Sequence, residues 1–366
     1  MTETTHSAPW QKCSFTLEGK TFSADICRKG LFNFNDEAYH DLNLFLEEWF
    51  NDSPTLTVRT SGSTGTPKKL VVKKEQMMNS ARLTCEVLNL RENDKALLCM
   101  PLQYIAGKMV VVRALTAGLD LIYRKPSGHP LKDIDNHLHF AAMVPLQVYN
   151  SLSIPEEARK LEKIDRLIIG GGAIDQELSV KLASLTNEIY STFGMTETLS
   201  HIALRRLNGD SASERYQPFP TVELSVSDED TLIIKAPQVC DEILRTNDVV
   251  SIYPDGTFQI IGRKDNIINS GSIKIQTESV EETLRSVIYV NFALTAVPHP
   301  KFGEALVLLV EKGEINLDSL NDAIQKTLPK LQQPKQICLV DSIPTTETGK
   351  INRKGCRELA ATLVHY

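Results

Sequence analysis

The chain has 366 residues, of which 42% are hydrophobic and 23% are charged, and these fractions are ordinary for a globular protein. Its length favours two domains, or one domain with a large appendage. The formal net charge of −6 argues against a nucleic-acid-binding protein, because such proteins carry a broad basic surface. Any anionic ligand must therefore be bound by local cations.

The sequence shows neither a membrane segment nor a framework of disulfides. No apolar run approaches the roughly 18 residues that a membrane-spanning helix needs, and the first residues lack the pattern of a secretory signal. The seven cysteines are scattered and form no CxxC pair. Reduced thiols in a cytoplasmic protein without an integral membrane segment are the simplest interpretation.

In chain order, short apolar strands first alternate with segments of helical periodicity. This alternation predicts an α/β core with a largely parallel sheet. Strands are predicted at 95–101, 119–123, 139–145, 166–172 and 187–194, and helices at 74–88, 106–117 and 175–185.

After about residue 205 the pattern changes to strands separated by turns, which is typical of a meander or small barrel. The strands of this β-rich subdomain are predicted at 221–227, 231–237, 248–256 and 257–265. From residue 266 a third pattern predicts a small α+β domain. Its strands are expected near 273–275, 292–297 and 305–310, and its helices near 277–287 and 316–328.

The stretch RTSGSTGTPKKLVV at 59–72 is rich in hydroxyl groups and glycine and ends in cations. It is not a Walker A loop, because Pro67 stands where the second glycine of that motif belongs and Lys68 precedes another lysine. The β character of the following residues indicates a loop between two strands. A solvated hairpin loop is one interpretation, and a polyphosphate cradle is the other. The candidate phosphate-binding residues are Thr60, Ser61, Gly62, Ser63, Thr64, Gly65, Thr66 and Lys68.

Four further motifs follow this loop in a fixed order. They are FGMTET at 193–198, TND at 246–248, GRKDNIINSGSIKI at 262–275 and PTTETGKINR at 344–353. With the loop, they resemble the adenylate-forming superfamily, which includes acyl-CoA synthetases, peptide-synthetase adenylation domains and luciferases. The resemblance implies an N-terminal AMP-binding domain at 1–264 with a shortened front end. It also implies a mobile C-terminal domain at 265–366.

That superfamily joins a carboxylate to ATP as an acyl-adenylate, releases pyrophosphate, and then transfers the acyl group to a thiol such as that of coenzyme A. The resemblance implies ATP, Mg²⁺ and CoA as cofactors and co-substrates. By the same resemblance, the 60–68 loop binds phosphates, Thr196 bonds the α-phosphate and Glu197 ligates the metal. Gly171, Gly172 and Ala173 line the acyl pocket and touch adenine, Phe193 and Gly194 belong to the adenine site, and Asp248 with Arg263 nearby holds the ribose. Asp265 is the hinge, and Lys350 bridges the carboxylate and the α-phosphate.

The stretches MPLQYIAGKMVVVRAL at 100–115 and FGMTETLSHIAL at 193–204 resemble the ligases that act on o-succinylbenzoate in menaquinone biosynthesis. In those enzymes a histidine is common at the position of Tyr104. The resemblance implies substrate binding by Tyr104, Gly107, Lys108, Arg113 and Ser200. The two cations would bind a second substrate carboxylate, whereas the alternative is that they are surface charges with apolar stems.

Three functions remain open from the sequence. The first is an ATP-dependent acid:CoA ligase for o-succinylbenzoate. The second is another aryl- or acyl-CoA ligase, or an enzyme that loads a carrier protein. The third is a catalytically silent nucleotide-binding relative. The expected partners are a small carboxylic acid, ATP and CoA, with no nucleic acid. The sequence leaves open whether the chain forms a homo-oligomer. The histidines of HLH at 137–139 are expected to be structural, since no ligand cluster accompanies them in the sequence.

Overall fold

The fold is given by a computed structural model. It describes residues 8–30, 37–59, 69–172, 174, 176–271, 273–313, 316–346 and 351–365. The chain divides into two compact units, the first comprising 1–223 and 234–244 and the second 224–233 and 245–366. The domain boundary at 264/265 stays a prediction.

The first unit is an α/β layer structure. Its strands are β1 (Phe15–Leu17), β2 (Lys20–Phe22), β3 (Thr55–Arg59), β4 (Lys69–Lys73), β5 (Lys95–Leu98), β6 (Asp120–Tyr123), β7 (Phe140–Met143), β8 (Arg166–Ile169), β9 (Glu188–Gly194), β10 (His201–Arg206) and β11 (Gln217–Pro218). Its helices are α1 (Ala24–Arg28), α2 (His40–Phe50), α3 (Lys74–Val87), α4 (Ile105–Ala117), α5 (Pro145–Leu152), α6 (Pro155–Glu162) and α7 (Gln176–Ala183). Short 3-10 helices lie at Pro9–Lys12 and Glu37–Tyr39.

A nine-stranded sheet organises this unit, in the order β11-β10-β9-β8-β7-β5-β6-β1-β2. Strands β1 and β5 to β9 run parallel to one another, and β2, β10 and β11 add antiparallel edges. The middle strands β6 and β7 are fully buried, as expected when helices cover both faces of a parallel sheet. The predicted α/β fold with a largely parallel sheet is confirmed.

Strands β3 and β4 form a separate antiparallel hairpin. Their register pairs Thr55 with Lys73 at one end and Arg59 with Lys69 at the other. The hairpin flanks positions 60–68, so the prediction that this loop joins two strands is confirmed. The loop itself lies outside the described residues.

The second unit contains two sheets. Its strands are β12 (Glu223–Val226), β13 (Thr231–Lys235), β14 (Leu244–Ile252), β15 (Phe258–Arg263), β16 (Ile267–Ser270), β17 (Ile273–Gln276), β18 (Phe292–His299), β19 (Gly303–Glu311) and β20 (Gln336–Val340). Its helices are α8 (Thr277–Leu284), α9 (Leu317–Thr327) and α10 (Arg353–Leu363), with a 3-10 helix at Lys264–Asn266. Strands β12 to β15 follow one another as the predicted meander, and β12, β13 and β14 cross the boundaries between the units in the chain.

The other sheet of this unit has the order β17-β16-β19-β18, with β20 parallel to β19. Because side chains alternate along a strand, β19 packs on both faces. Leu306 and Leu308 join the cluster of α8 and α9, whereas Val307 and Leu309 join that of α10. The sequence does not predict β20 or α10, although both complete this core.

No helix in the described part of the chain is long and apolar enough to cross a membrane. All seven cysteines are free thiols, and five of them are buried.

Candidate active site

The FGMTET motif forms a compact turn between β9 and β10. The buried hydroxyl of Thr198 accepts the backbone N–H of Met195 at 3.0 Å and lies 2.8 Å from the carbonyl oxygen of Ser200. A Cβ atom on Gly194 would lie 2.2 Å from that same carbonyl oxygen, so only glycine fits. The predicted role of Gly194 in binding is untested, but its steric role in closing this turn is clear.

Thr196 and Glu197 lie within this turn and are half-buried. Across the described residues, neither side chain has a protein hydrogen bond or an ion pair. A half-buried carboxylate without a protein partner suits a divalent cation, and oxygen ligands are those that Mg²⁺ prefers. The residue types at this turn therefore fit the predicted metal site.

The glycines after β8 lie at the same edge of the sheet, because β8 and β9 are parallel and pair Ile169 with Ser191. A Cβ atom on Gly170 would lie 2.5 Å from the hydroxyl oxygen of Thr192 in β9. Gly171 has a φ of +82°, which glycine adopts without strain. This turn, with Gly172 beside it, places bare backbone at the sheet edge where β9 leads into the Thr-Glu turn. Ala173 lies outside the described residues.

Phe193 precedes the turn and is half-buried. Its ring centroid lies 5.9 Å from that of Tyr216, whose hydroxyl is 2.9 Å from the hydroxyl of Ser191. The ring of Phe193, which is predicted to contact adenine, thus lies against a second aromatic ring, that of Tyr216, which the sequence does not single out.

Arg113 of α4 is a buried cation, with 2% of its surface exposed. Its Nη2 donates to the hydroxyl of Ser200 at 2.7 Å. No carboxylate of the described chain pairs with it, and its buried Nε has no hydrogen-bond partner there. Burial lowers the pKa of Arg113 to about 10, which still leaves it charged at neutral pH.

Lys108 lies on another side of the same helix. Its ammonium is 3.0 Å from the carboxylate of Glu48 in α2 and 4.8 Å from the ring centroid of Phe45. Five residues along a helix correspond to a rotation of about 140°, so α4 points Lys108 and Arg113 in different directions. The structure does not bring the two predicted carboxylate-binding cations together, and Lys108 already has an anionic partner.

Gly107 and Tyr104 start α4. A Cβ atom on Gly107 would lie 2.5 Å from the carbonyl oxygen of Pro101, so glycine permits the close approach of the helix to the preceding backbone. Tyr104 is the N-cap residue and forms a bridge with Arg59, the last residue of β3.

The TND motif lies in the second unit, where Asp248 of β14 pairs in register with Arg263 of β15. Arg263 Nη1 is 3.2 Å from the Asp248 carboxylate, and its Nη2 is 2.9 Å from that of Asp265. Asn247 donates to both carboxylate oxygens of Asp265 at 3.0 Å. Burial raises the pKa of Asp248, and Arg263 opposes the shift. The structure therefore brings together Asp248 and Arg263, and adds Asn247 and Asp265.

The remaining predicted site residues lie outside the described residues and stay predictions. They are Thr60, Ser61, Gly62, Ser63, Thr64, Gly65, Thr66, Lys68, Ala173 and Lys350.

His137, His139 and Asp165 come close enough for a shared metal ion. However, Nδ1 of His139 accepts the backbone N–H of Lys95 at 3.0 Å. A neutral imidazole has one N–H and one acceptor nitrogen, so Nε2 of His139 carries the proton and cannot be a ligand in this arrangement. The geometry favours the structural interpretation of His139.

Sequence reasoning also missed two buried residues, His201 beside Ser200 and Thr84 beside His201. One ring nitrogen of His201 lies 3.2 Å from the Ser200 hydroxyl, and the other lies 3.1 Å from the Thr84 hydroxyl. The adjacent Ser-His pair after the Thr-Glu motif was the available signal.

A glycine turn and a Thr-Glu pair at the strand ends of a parallel sheet are typical of α/β enzymes that bind nucleotides. The AMP-binding enzyme family matches residues 23–245, and the AMP-binding enzyme C-terminal domain matches residues 279–350. The chain belongs to the AMP-binding enzyme family. The resemblance to adenylate-forming enzymes and the prediction of an enzyme are thereby confirmed.

Several curated relatives are named "2-succinylbenzoate--CoA ligase". The protein of that name from Lactococcus lactis is 26% identical over 317 residues, which cover 81% of this chain and 69% of the relative. The one from Escherichia coli K12 is 25% identical over 316 residues, which cover 82% of this chain and 67% of the relative.

Solved structures show the same fold. An acyl-CoA synthetase (AMP-forming)/AMP-acid ligase II-like protein from Dyadobacter fermentans is 30% identical with a TM-score of 0.63, covering 91% of this chain and 97% of that one. O-succinylbenzoate Coenzyme A synthetase from Bacillus subtilis, in complex with ATP and a magnesium ion, is 19% identical with a TM-score of 0.69, covering 81% and 68%. The latter likeness concerns the fold.

Proposed function

We propose that this chain is an ATP-dependent acid:CoA ligase whose acid is a dicarboxylate, o-succinylbenzoate. The observation that carries the proposal is Arg113, a buried guanidinium without an anionic partner in the described chain, bonded to Ser200 three residues after Glu197. A cation for a distal carboxylate is thus hydrogen-bonded to the segment between β9 and β10 that carries the candidate metal ligand.

The energetics of burial support an anionic ligand for Arg113. Removing an ion from water costs several kcal/mol unless an opposite charge or good hydrogen bonds compensate. The Ser200 hydroxyl satisfies one N–H of Arg113, while its buried Nε stays unsatisfied within the described residues. A substrate carboxylate would supply the missing charge and acceptor, and a guanidinium matches a carboxylate in planar geometry.

The relatives named 2-succinylbenzoate--CoA ligase support the choice of acid. That acid has two carboxylates, so one can be activated while the other is bound by Arg113. Lys108 is not part of this proposal, because Glu48 already pairs with it.

The reaction brings a carboxylate to the α-phosphorus of ATP, so the protein must offset crowded negative charge. Lys350 would place its ammonium between the carboxylate and the α-phosphate, and Thr196 would donate to the phosphate. Glu197 would hold Mg²⁺, which supplies charge neutralisation on the polyphosphate when bound. The 60–68 loop would bind the outer phosphates, and Asp248 would accept hydrogen bonds from the ribose. The thiol of CoA would then displace AMP.

Two further parts of the proposal concern organisation and location. Residues 265–366 would form a mobile C-terminal domain that turns between the two half-reactions. Seven free thiols suit a reducing compartment, and we place the enzyme in the cytoplasm.

The test is ATP–pyrophosphate exchange with a panel of acids, followed by a CoA-dependent assay. o-Succinylbenzoate is expected to support exchange and thioester formation, and a monocarboxylic analogue without the distal carboxylate is expected to be a poor substrate. Exchange with other acids alone indicates a different acid ligase. A lack of exchange with every acid indicates a silent nucleotide-binding relative.

Arg113→Ala provides the sharper test. Loss of a charge-assisted contact in a partly dry site costs about 1.5–3 kcal/mol, so kcat/KM for o-succinylbenzoate should fall roughly ten- to a hundredfold. The KM for ATP should change little. Lys108→Met on the same helix is the matched control and should preserve the preference for the dicarboxylate. If Arg113→Ala affects both acids alike, Arg113 does not bind the distal carboxylate.

A further inference from the structure

A continuous chain of hydrogen bonds connects Arg113 to the backbone of α3. Arg113 Nη2 lies 2.7 Å from the Ser200 hydroxyl, which lies 3.2 Å from Nδ1 of His201. Nε2 of His201 lies 3.1 Å from the Thr84 hydroxyl, which lies 3.1 Å from the carbonyl oxygen of Ser80. The four bonds link α4, the turn before β10, β10 itself and α3.

The chemistry of the two ends sets the direction of every bond. A carbonyl only accepts, so Thr84 donates its proton to Ser80 and its oxygen accepts from Nε2–H of His201. In the neutral ring Nδ1 is then an acceptor, so Ser200 donates its proton to His201. A guanidinium only donates, so Arg113 donates to the remaining lone pairs of Ser200.

The surroundings of His201 favour the neutral ring that this direction requires. His201 is buried, and its ring meets the edge of Phe219 with the centroids 5.5 Å apart. Burial and the nearby charge of Arg113 hold the pKa of His201 well below its usual range. Thr84 is fully buried as well, so water does not reach its hydroxyl.

We propose that His201 and Thr84 are positioning residues for substrate recognition. They fix the Ser200 hydroxyl with its proton toward His201 and its lone pairs toward Arg113, and so hold the guanidinium for the distal carboxylate. This inference rests on the proposed function. It assigns specificity to Thr84, which lies in α3 and is separated from Arg113 by two side chains.

The kinetic test uses Thr84→Val, which removes the acceptor at nearly constant volume, and Thr84→Ser, which keeps it. Without the acceptor, Nε2–H loses its partner and the ring tautomer is no longer fixed. Loss of one neutral hydrogen bond corresponds to roughly a three- to tenfold change. We expect KM for o-succinylbenzoate to rise by about that factor in Thr84→Val, with KM for ATP unchanged, and the wild-type value to return in Thr84→Ser.

Two kinetic outcomes would overturn the proposal. One is an equal rise of KM for ATP and for the acid, which indicates general loss of structure. The other is identical behaviour of the valine and serine variants, which shows that the hydroxyl is irrelevant.

The tautomer can be measured without any substrate. Nitrogen-15 NMR of the histidine-labelled full chain distinguishes Nε2–H from Nδ1–H, and His201→Gln identifies the signal by its disappearance. We expect the neutral Nε2–H tautomer in the wild type and a different or mixed pattern in Thr84→Val. A wild-type Nδ1–H tautomer, or a protonated ring at neutral pH, overturns the hydrogen-bond chain. If the wild type shows the expected tautomer but is inactive on o-succinylbenzoate, the result supports the chain of hydrogen bonds and contradicts the proposed function.

Discussion

Arg113 and Lys74 are the two most deeply buried cations among the described residues, but their partners differ. Arg113 has a hydroxyl and no protein anion in the described chain, whereas Lys74 of α3 donates to the side chain of Asn51 at 2.8 Å and to its backbone carbonyl at 3.2 Å. The Lys74 ammonium also lies 5.5 Å from the ring centroid of Trp10. Lys74 therefore has hydrogen-bond acceptors within the protein, whereas the Nε–H of Arg113 is available to a ligand.

Lys74 should make stability depend on pH. Burial lowers its pKa from 10.5 to about 8, so the folded state binds the proton less well than the unfolded chain. Below pH 8 both states are protonated and the buried charge disfavours folding. This penalty disappears as pH rises through the window between the two values. In urea unfolding from pH 7 to 10, the stability of the wild type should therefore rise relative to Lys74→Met. A constant difference would contradict the lowered pKa.

Lys350 is predicted to serve only the first half-reaction. In Lys350→Ala the cation between two anions is lost, so acyl-adenylate formation should nearly disappear. Thioester formation from supplied acyl-adenylate and CoA should be largely retained. Pyrophosphate exchange measures the first step, and CoA consumption measures the second. Equal loss of both steps would remove the assigned role.

At the scale of an element, α4 combines packing with the proposed role of Arg113 in recognition. Its first turn packs against the backbone of Met100 and Pro101, and its middle carries Arg113 toward Ser200. The Gly118 C-cap, with a φ of 68°, ends the helix in the left-handed conformation that glycine adopts readily. The placement of Arg113 therefore depends on how closely the helix approaches the preceding loop.

Gly107→Ala should displace this helix. The new methyl group would lie 2.5 Å from one backbone carbonyl oxygen and 2.9 Å from another, and backbone cannot move aside easily. Overpacking of this kind costs about 1–3 kcal/mol, and it should reduce the preference for the dicarboxylate with a loss of thermal stability. Gly313→Ala is the control, since its nearest contact would be an ordinary 3.5 Å. Unchanged melting temperature and selectivity in Gly107→Ala would contradict this account.

At the scale of the whole molecule, each unit has its own hydrophobic cores. The proposed hinge at Asp265 lies in the 3-10 helix between β15 and β16, where Asn247 and Arg263 hold its carboxylate. A hinge requires only a few residues that absorb changes in φ and ψ.

Asp265→Pro should affect the two half-reactions unequally. Proline fixes φ near −65° and removes an N–H, and it also restricts the residue before it. One half-reaction should be impaired much more than the other. Asp265→Ala removes the carboxylate and keeps backbone freedom, so it separates loss of the side-chain contacts from loss of motion. If both steps survive in Asp265→Pro, residue 265 is not the hinge.

Motifs and local patterns in the chain were enough to predict the family, the α/β core and the main elements. Helices α3 and α4 repeat apolar residues at helical spacing, and the strands of the parallel sheet are continuous apolar runs, so local pattern predicts both. The resemblance also predicted that Arg263 lies close to Asp248, and the pairing of β14 with β15 places them in register.

Which polar side chains meet depends on tertiary packing, and local patterns do not predict it. Lys108 and Arg113 appear equivalent in the sequence, but Glu48 lies 60 positions away and pairs with one of them. Thr84 and His201 are 117 positions apart and become partners because the fold brings α3 and β10 within hydrogen-bonding distance at this point. Likewise, β20 forms as a strand because it pairs in parallel with β19. Burial and hydrogen bonding between distant segments depend on the packed arrangement of the whole unit, and no local pattern encodes them.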